Sequence, residues 1–260
     1  MQWRRQGRGR LASLLGQAAL CLQLVLVLLA AQSARGILRD SDELTKHCYH
    51  FPSKDYGKDN NVKDTYGSSP HVMLNVGDLA IEFTLPSNTG EMVTLSKLLE
   101  DKAVLLLWGH YTCPAFQGYK SDTTFTGSSY QDEKDLLDEV KDKITLVHLV
   151  GPEPHPLWPY ANFDSGTIRM NFWSTIAQPQ TYSERLSTSV AKVLPYLHKD
   201  AVVLVDYLDG PTGQYNNPVW CSYANAARAA ILIGQDGVVL ETQTWFAVEE
   251  MQAAIKSNVR

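Results

Sequence analysis

Ala103-Val104-Leu105-Leu106-Leu107-Trp108-Gly109-His110-Tyr111-Thr112-Cys113-Pro114 is the stretch on which the reading of this chain turns. Six apolar residues in a row, of strand length and without polar alternation, predict a central strand covered on both faces. The run ends at Gly109 and leads within a few residues to a cysteine followed by proline. Proline is favoured in the first turn of a helix, so the pattern predicts a strand-to-helix switch with Cys113 at the helix start. Unpaired N–H groups and the positive end of the helix dipole stabilise a thiolate there, lowering its pKa from about 8.5 towards neutrality. A cysteine so placed is a nucleophile; the competing reading is a small buried core residue.

Working outward, Ala80 to Leu85 alternates apolar and polar and predicts a half-buried strand ending at Pro86. A turn at Asn88-Thr89-Gly90 returns it to a second short strand, Met92 to Leu95, and Ser96 opens a brief helix. Downstream, Leu136, Leu137 and Val140 predict a helix over 131–141, and Ile144 to Val150 a second buried strand. A long loop fills 151–179, a helix 182–197 and a third buried strand 201–206. Two strands around Gln235-Asp236-Gly237 make a hairpin, and a helix over 248–257 closes the chain. Parallel β-α-β units followed by a hairpin and a helix predict an α/β, thioredoxin-like fold with an N-terminal β-hairpin extension and a long inserted loop.

The N-terminus reads differently. Arg4, Arg5, Arg8 and Arg10 precede an apolar run from Leu20 to Ala31 and small residues at Ser33, Ala34 and Gly36. A basic head, a short apolar core and a small-residue exit predict a signal peptide over 1–36, cut after Ser33 or Gly36, or retained as a signal anchor. A polar, turn-rich arm follows over 37–71, and the domain proper runs over 72–260. The expected localisation is the secretory pathway, secreted or membrane-anchored. Without the five arginines of 1–36 the formal charge moves from −5 to −10. So acidic a chain argues against nucleic acid and anionic membrane as partners.

Outside the leader there are three cysteines, Cys48, Cys113 and Cys221. An odd number in an oxidising compartment leaves one thiol unpaired or intermolecular. Cys48–Cys221 with Cys113 free is the simplest partition, and a Cys113–Cys221 pair is the functional competitor. The histidines and cysteines have no metal-site spacing, so no metal is expected. Position 116 is Phe, which excludes a Cys-x-x-Cys dithiol. His110 and Leu106 stand where a typical peroxiredoxin has Thr and Pro.

Val76-Gly77-Asp78, Phe83-Thr84-Leu85, Gly90, Val93 and Leu95, with the strand that follows, look like the opening of peroxiredoxin- and thioredoxin-like proteins. Three further segments resemble the iodothyronine deiodinases more narrowly: Gly109-His110-Tyr111-Thr112-Cys113-Pro114-Ala115-Phe116, Glu153-Pro154-His155-Pro156, and Gln178-Pro179-Gln180-Thr181 leading into Arg185. Arg228 before Ile231-Leu232-Ile233 completes the match, which covers about residues 72–255. Cys113 stands at the family's selenocysteine, and Thr181 at its histidine after Pro-Gln.

The resemblance implies reductive dehalogenation of iodinated thyronine- or tyrosine-type aromatics. Cys113 is the nucleophile and His155 with Glu153 supply the proton. Read from the residues themselves, Thr112, Tyr111 and Arg228 are the candidates to bind substrate: Thr112 bonds the thiolate or caps the helix that follows, Tyr111 lines the pocket or only packs, and Arg228 clamps an anionic group or makes a plain surface ion pair. The aromatic set Trp158, Tyr160, Phe163, Phe172 and Trp173 covers an iodinated ring or only ties the long loop to the domain. Cys221 or an external thiol reductant regenerates the sulfur, no cofactor is needed, and a homodimer is one possible state, since proteins of the resembled family often dimerise. Two other functions fit the same residues: a peroxiredoxin-like peroxide or thiol reductase, and a non-catalytic thioredoxin-like binding domain with Cys113 packed and inert.

Overall fold

In the computed structural model, residues 38–44, 72–118, 128–154, 176–179, 181–208, 217–224 and 226–259 are described. All belong to one unit, Leu38–Arg260. The leader, Cys48, most of the polar arm and much of the long loop lie outside the described residues.

Thr84–Pro86 (β1) and Met92–Thr94 (β2) pair antiparallel, as the N-terminal hairpin requires. Leu95–Leu99 (α1) follows, its N-cap being Thr94 with no side-chain cap bond rather than Ser96. The central sheet contains Ala103–Trp108 (β3), Ile144–Val150 (β4), Val202–Val205 (β5), Ala230–Ile233 (β6) and Val239–Gln243 (β7), in the order β5-β4-β3-β6-β7. β3, β4 and β5 run parallel; β6 lies antiparallel to β3, and β7 antiparallel to β6. The strand that leads to Cys113 is thus the middle of the sheet, which accounts for its unbroken apolar run: every residue of β3 is buried.

Alternation splits this strand between two cores. Val104, Leu106 and Trp108 pack with Val147, Leu149 and Ile231 on one face. Leu105 and Leu107 face Tyr130–Val140 (α2) and Val248–Asn258 (α6) through Leu136, Leu137, Phe246 and Met251 on the other. α2 starts at a capping box in which Ser129 and Asp132 satisfy each other's backbone N–H groups.

Two sequence expectations change, and one segment makes contacts the sequence did not specify. Part of the polar arm packs on the domain: the Arg39 N–H donates to the Ala80 carbonyl at 2.9 Å, and the Glu82 N–H to the Arg39 carbonyl at 2.8 Å. No helix follows Cys113 among the described residues; Pro114–Gly118 is a single turn that ends at Gly118 with φ +85°. The helix over 182–197 is composite. Tyr182–Arg185 (α3) widens into a π turn over Leu186–Val190, then Ala191–Val193 (α4) and a 3₁₀ turn over Leu194–Tyr196. π turns of this kind are frequent at functional sites. The last short helix, Pro218–Tyr223 (α5), is buried along its whole length.

Candidate functional site

Cys113 lies in the turn that leaves the C-terminal end of β3, at the sheet edge where open α/β folds gather their ligands. Its N–H donates to the His110 carbonyl at 3.0 Å, and the Gln117 N–H returns to the Cys113 carbonyl at 3.3 Å. The side chain is 1 % exposed and packs with Phe116, Val150, Val190, Val193 and Val205. Burial pushes the thiol above its ordinary value, which corrects the expectation of a thiol tuned towards neutrality by a helix start. Groups that favour the anion nevertheless surround the sulfur. The backbone N–H of Phe116, the charge of Arg228 and the N–H of Ala115 all lower its pKa, and Glu153 opposes them. Cys113 is the free cysteine among the described residues.

Glu153, just beyond β4, is also 1 % exposed. Its Oε2 accepts the N–H of Thr112 at 2.9 Å and the Thr112 hydroxyl at 2.7 Å. Gln178 clamps its backbone, accepting from the Glu153 N–H and donating to the Glu153 carbonyl, each at 3.0 Å. Neither Oε1 nor the buried hydroxyl of Ser189 in the π turn makes a hydrogen bond of normal geometry among the described residues, although Ser189 lies close enough to the carboxyl to lower its pKa. Burial raises the pKa of this carboxyl; Ser189, Thr112 and Arg185 offset part of the rise. A thiol and a carboxyl, both buried and both with raised pKa values, are therefore linked through Thr112, which precedes the first in sequence and is hydrogen-bonded to the second.

The other expected residues separate. Thr112 is buried and gives its hydroxyl to Glu153 instead of the sulfur. Tyr111 is half-buried against Tyr196, with Lys192 5.7 Å from its ring centre. His155 and the aromatic set of the long loop lie outside the described residues. Arg228 does not present itself to a ligand. It is fully buried, bonds the Glu133 carboxylate at 2.9 Å, and donates to the carbonyls of Trp108, Ser128 and Ser129. Its position at the end of the loop before β6 turns the guanidinium into the protein, between the rings of Phe116 and Phe246. Cys221 is disulfide-bonded and Cys113 is free, so the pair Cys113–Cys221 is not formed and Cys221 is no resting thiol. Cys48, the other cysteine expected to bridge, lies outside the described residues.

Sequence reading missed two buried polar residues. Glu133 stands on the apolar stripe of α2, three and four residues before Leu136 and Leu137, and His148 interrupts the apolar run of β4. Polar residues at core positions were the available signal. His148 Nδ1 lies 3.0 Å from Glu133 Oε1 and Nε2 lies 2.9 Å from the Gly109 carbonyl oxygen. His110 is buried too: its Nε2 accepts the Gly151 N–H, so its Nδ1 donates to the Ala227 carbonyl at 2.9 Å. Burial holds its pKa down to about 3, and it is neutral.

Among the described residues no group of three or more His, Cys, Asp or Glu could hold a metal ion. No helix among them is long and apolar enough to cross a membrane.

No protein-family model matches the chain, and no curated protein matches it. Among solved structures, a candidate protein disulfide isomerase from Bacteroides thetaiotaomicron is similar at 17 % identity, over 73 % of this chain and 92 % of its own, with a TM-score of 0.46. A candidate thiol:disulfide interchange protein DsbE from Chlorobium tepidum is similar at 18 % identity, over 71 % and 97 %, with a TM-score of 0.44. A thioredoxin-like protein from Aeropyrum pernix follows at 15 % identity, over 68 % and 89 %, with a TM-score of 0.42. The fold is thioredoxin-like. That conclusion stands on the strand order, two parallel neighbours on one side of β3 and an antiparallel pair on the other, and the chemistry stands on the site's own geometry.

Proposed function

We propose that the protein is a thiol oxidoreductase in which Cys113 is the reacting sulfur and Glu153 moves its proton. The observation that carries this reading is the coupling of the two groups: a thiol lined by two backbone N–H groups and an arginine charge, and a buried carboxyl fastened to the neighbouring Thr112. Each negative charge raises the other group's pKa, so the pair holds one charge and exchanges one proton. Glu153 takes the proton from Cys113, the thiolate attacks, and the carboxyl returns the proton to the leaving fragment. The sulfur is covered in the state described here, so turnover includes a step that opens the Gly109–Gly118 turn.

With a hydroperoxide, the thiolate takes the distal oxygen, the O–O bond breaks, the alkoxide receives the proton, and Cys113 is left as sulfenic acid. With an iodinated aromatic, the sulfur takes iodine as sulfenyl iodide and the ring carbon receives the proton. Either product is returned to thiol by two equivalents of an external thiol, which leaves as disulfide. The deiodinase-type reaction is the finer reading; the resemblance around Cys113, Glu153 and His155 supports it. The burial of Arg228 removes one expected substrate clamp and favours substrates without an anionic group at that point.

The test is a substrate panel of hydroperoxides, iodinated tyrosines and iodinated thyronines, with a dithiol reductant, in wild type and Cys113→Ser. The reading expects disulfide formation in step with loss of peroxide or release of iodide, abolished in Cys113→Ser. Turnover that survives the substitution would remove Cys113 as the reacting sulfur, and none with any substrate leaves the non-catalytic binding domain.

A further inference from the structure

The Arg228–Glu133–His148 cluster supplies no reacting group to that scheme, yet its hydrogen bonds fix where its protons are. Nε2 of His148 meets the Gly109 carbonyl oxygen, which can only accept, so Nε2 carries a hydrogen. Nδ1 meets Oε1 of Glu133, whose Oε2 already accepts from Arg228. Burial by itself raises the pKa of Glu133, but His148 and Arg228 outweigh it and hold the carboxyl below its ordinary range. Glu133 is therefore a carboxylate and accepts at both oxygens, which requires a hydrogen on Nδ1 as well. A neutral imidazole has only one N–H.

We propose that His148 is held as an imidazolium in the folded protein, and that this charge, left over once Arg228 and Glu133 neutralise each other, is the buried counter-charge for a thiolate at Cys113. The placement fits. Gly109, whose carbonyl His148 holds, is four residues before Cys113. The ring of Phe116, three residues after it, lies 5.7 Å from the His148 ring and 5.3 Å from the Arg228 guanidinium. The charged and titratable groups around the imidazole are Glu133 on α2, Arg228 ahead of β6, and His110 beyond β3, the last neutral. A cluster of one anion and two cations buried without a further negative charge is costly. Ionised Cys113 supplies that charge, and Arg228 already acts on it in this sense. The approach is close enough to need a glycine: a Cβ on residue 109 would stand 2.1 Å from Cε1 of His148.

The first half of this proposal is independent of the oxidoreductase reading; the second rests on Cys113 being ionised when it reacts. Nitrogen NMR of the full chain labelled in histidine tests the first half at pH 8. Both ring nitrogens of His148 are expected to carry hydrogen, whereas His110 shows one bare nitrogen. A bare nitrogen in His148 overturns it. For the second half, the rate of Cys113 alkylation against pH is compared in wild type and His148→Gln. The profile is expected to move upward by about one pH unit, roughly a tenfold slower reaction at pH 7. An unmoved profile overturns the counter-charge. Should His148→Gln not fold, the same alkylation profile is read in His148→Asn, which keeps a donor for the Gly109 carbonyl and carries no charge, and an unmoved profile there overturns the same claim. Neither readout depends on finding a substrate.

Discussion

Thr112 gives both its backbone N–H and its hydroxyl to a single oxygen of Glu153, at 2.9 and 2.7 Å. That fork joins the turn holding the sulfur to the end of β4, and leaves the second carboxyl oxygen without a hydrogen bond of normal geometry among the described residues. In Glu153→Gln the amide oxygen can still accept both bonds, so the turn keeps its anchor, but no proton can be exchanged. Turnover is expected to fall by roughly 10²–10⁴-fold. Alkylation of Cys113 should start at lower pH, because the opposing charge is gone. Turnover within a few fold of wild type would mean that the proton comes from elsewhere.

Gly109→Ala tests the contact between the turn and the buried cluster. The added methyl would meet His148 Cε1 at 2.1 Å and Nε2 at 2.7 Å, and both belong to a ring fixed at its two nitrogens. The substitution is expected to cost about 1–3 kcal/mol, the usual range for overpacking. Urea denaturation measures it, and a midpoint equal to wild type contradicts the packing described.

His110 makes stability depend on acid. Its pKa is about 3 in the folded chain against an ordinary 6.5, because burial disfavours the charged ring. Between those values the unfolded chain binds the proton and the folded chain does not. The contribution is complete above pH 6.5 and is lost as pH falls towards 3, on the order of 5 kcal/mol in all. Asp206 works the other way: burial lifts it to about 6, so its contribution is present below pH 3.8 and lost as pH rises through 6. Comparing the pH slope of unfolding in wild type and His110→Asn isolates the histidine. The variant should lose less stability between pH 7 and pH 4, and equal slopes would refute the assignment.

The sheet was legible in the sequence because its strands obey simple patterns. β3 is apolar throughout and lies in the middle; β1 is shorter than the alternation over 80–85 suggests, spanning only Thr84–Pro86 with Thr84 exposed and Leu85 and Pro86 buried. The positions of Cys113 and Glu153 were legible because each sits just past a buried strand. The protonation state of Cys113 was not. A Pro after Cys suggests a helix start, but the chain makes one turn and leaves it at Gly118, so the expected dipole is absent and burial dominates. The sequence leaves Arg228 between a ligand clamp and a surface ion pair for a related reason: a lone arginine before a strand fits either until its partner is known. That partner, Glu133, lies 95 residues away. Spacing carries no information about such a contact, although an acid on the apolar stripe of α2 and a histidine inside β4 were visible irregularities. The widening of α3 at Leu186–Val190, which brings Ser189 into the interior, leaves no comparable mark in the apolar spacing.

The sulfur of Cys113 can be followed directly. Intact protein is exposed to one equivalent of hydroperoxide, or of an iodinated tyrosine, with a sulfenic-acid trap present and no reductant, and the cysteines are mapped by mass spectrometry. A single trapped adduct on Cys113, formed faster in wild type than in Glu153→Gln, is the outcome this account requires. Cys113 recovered as free thiol, with the substrate untouched or consumed elsewhere on the chain, would contradict it.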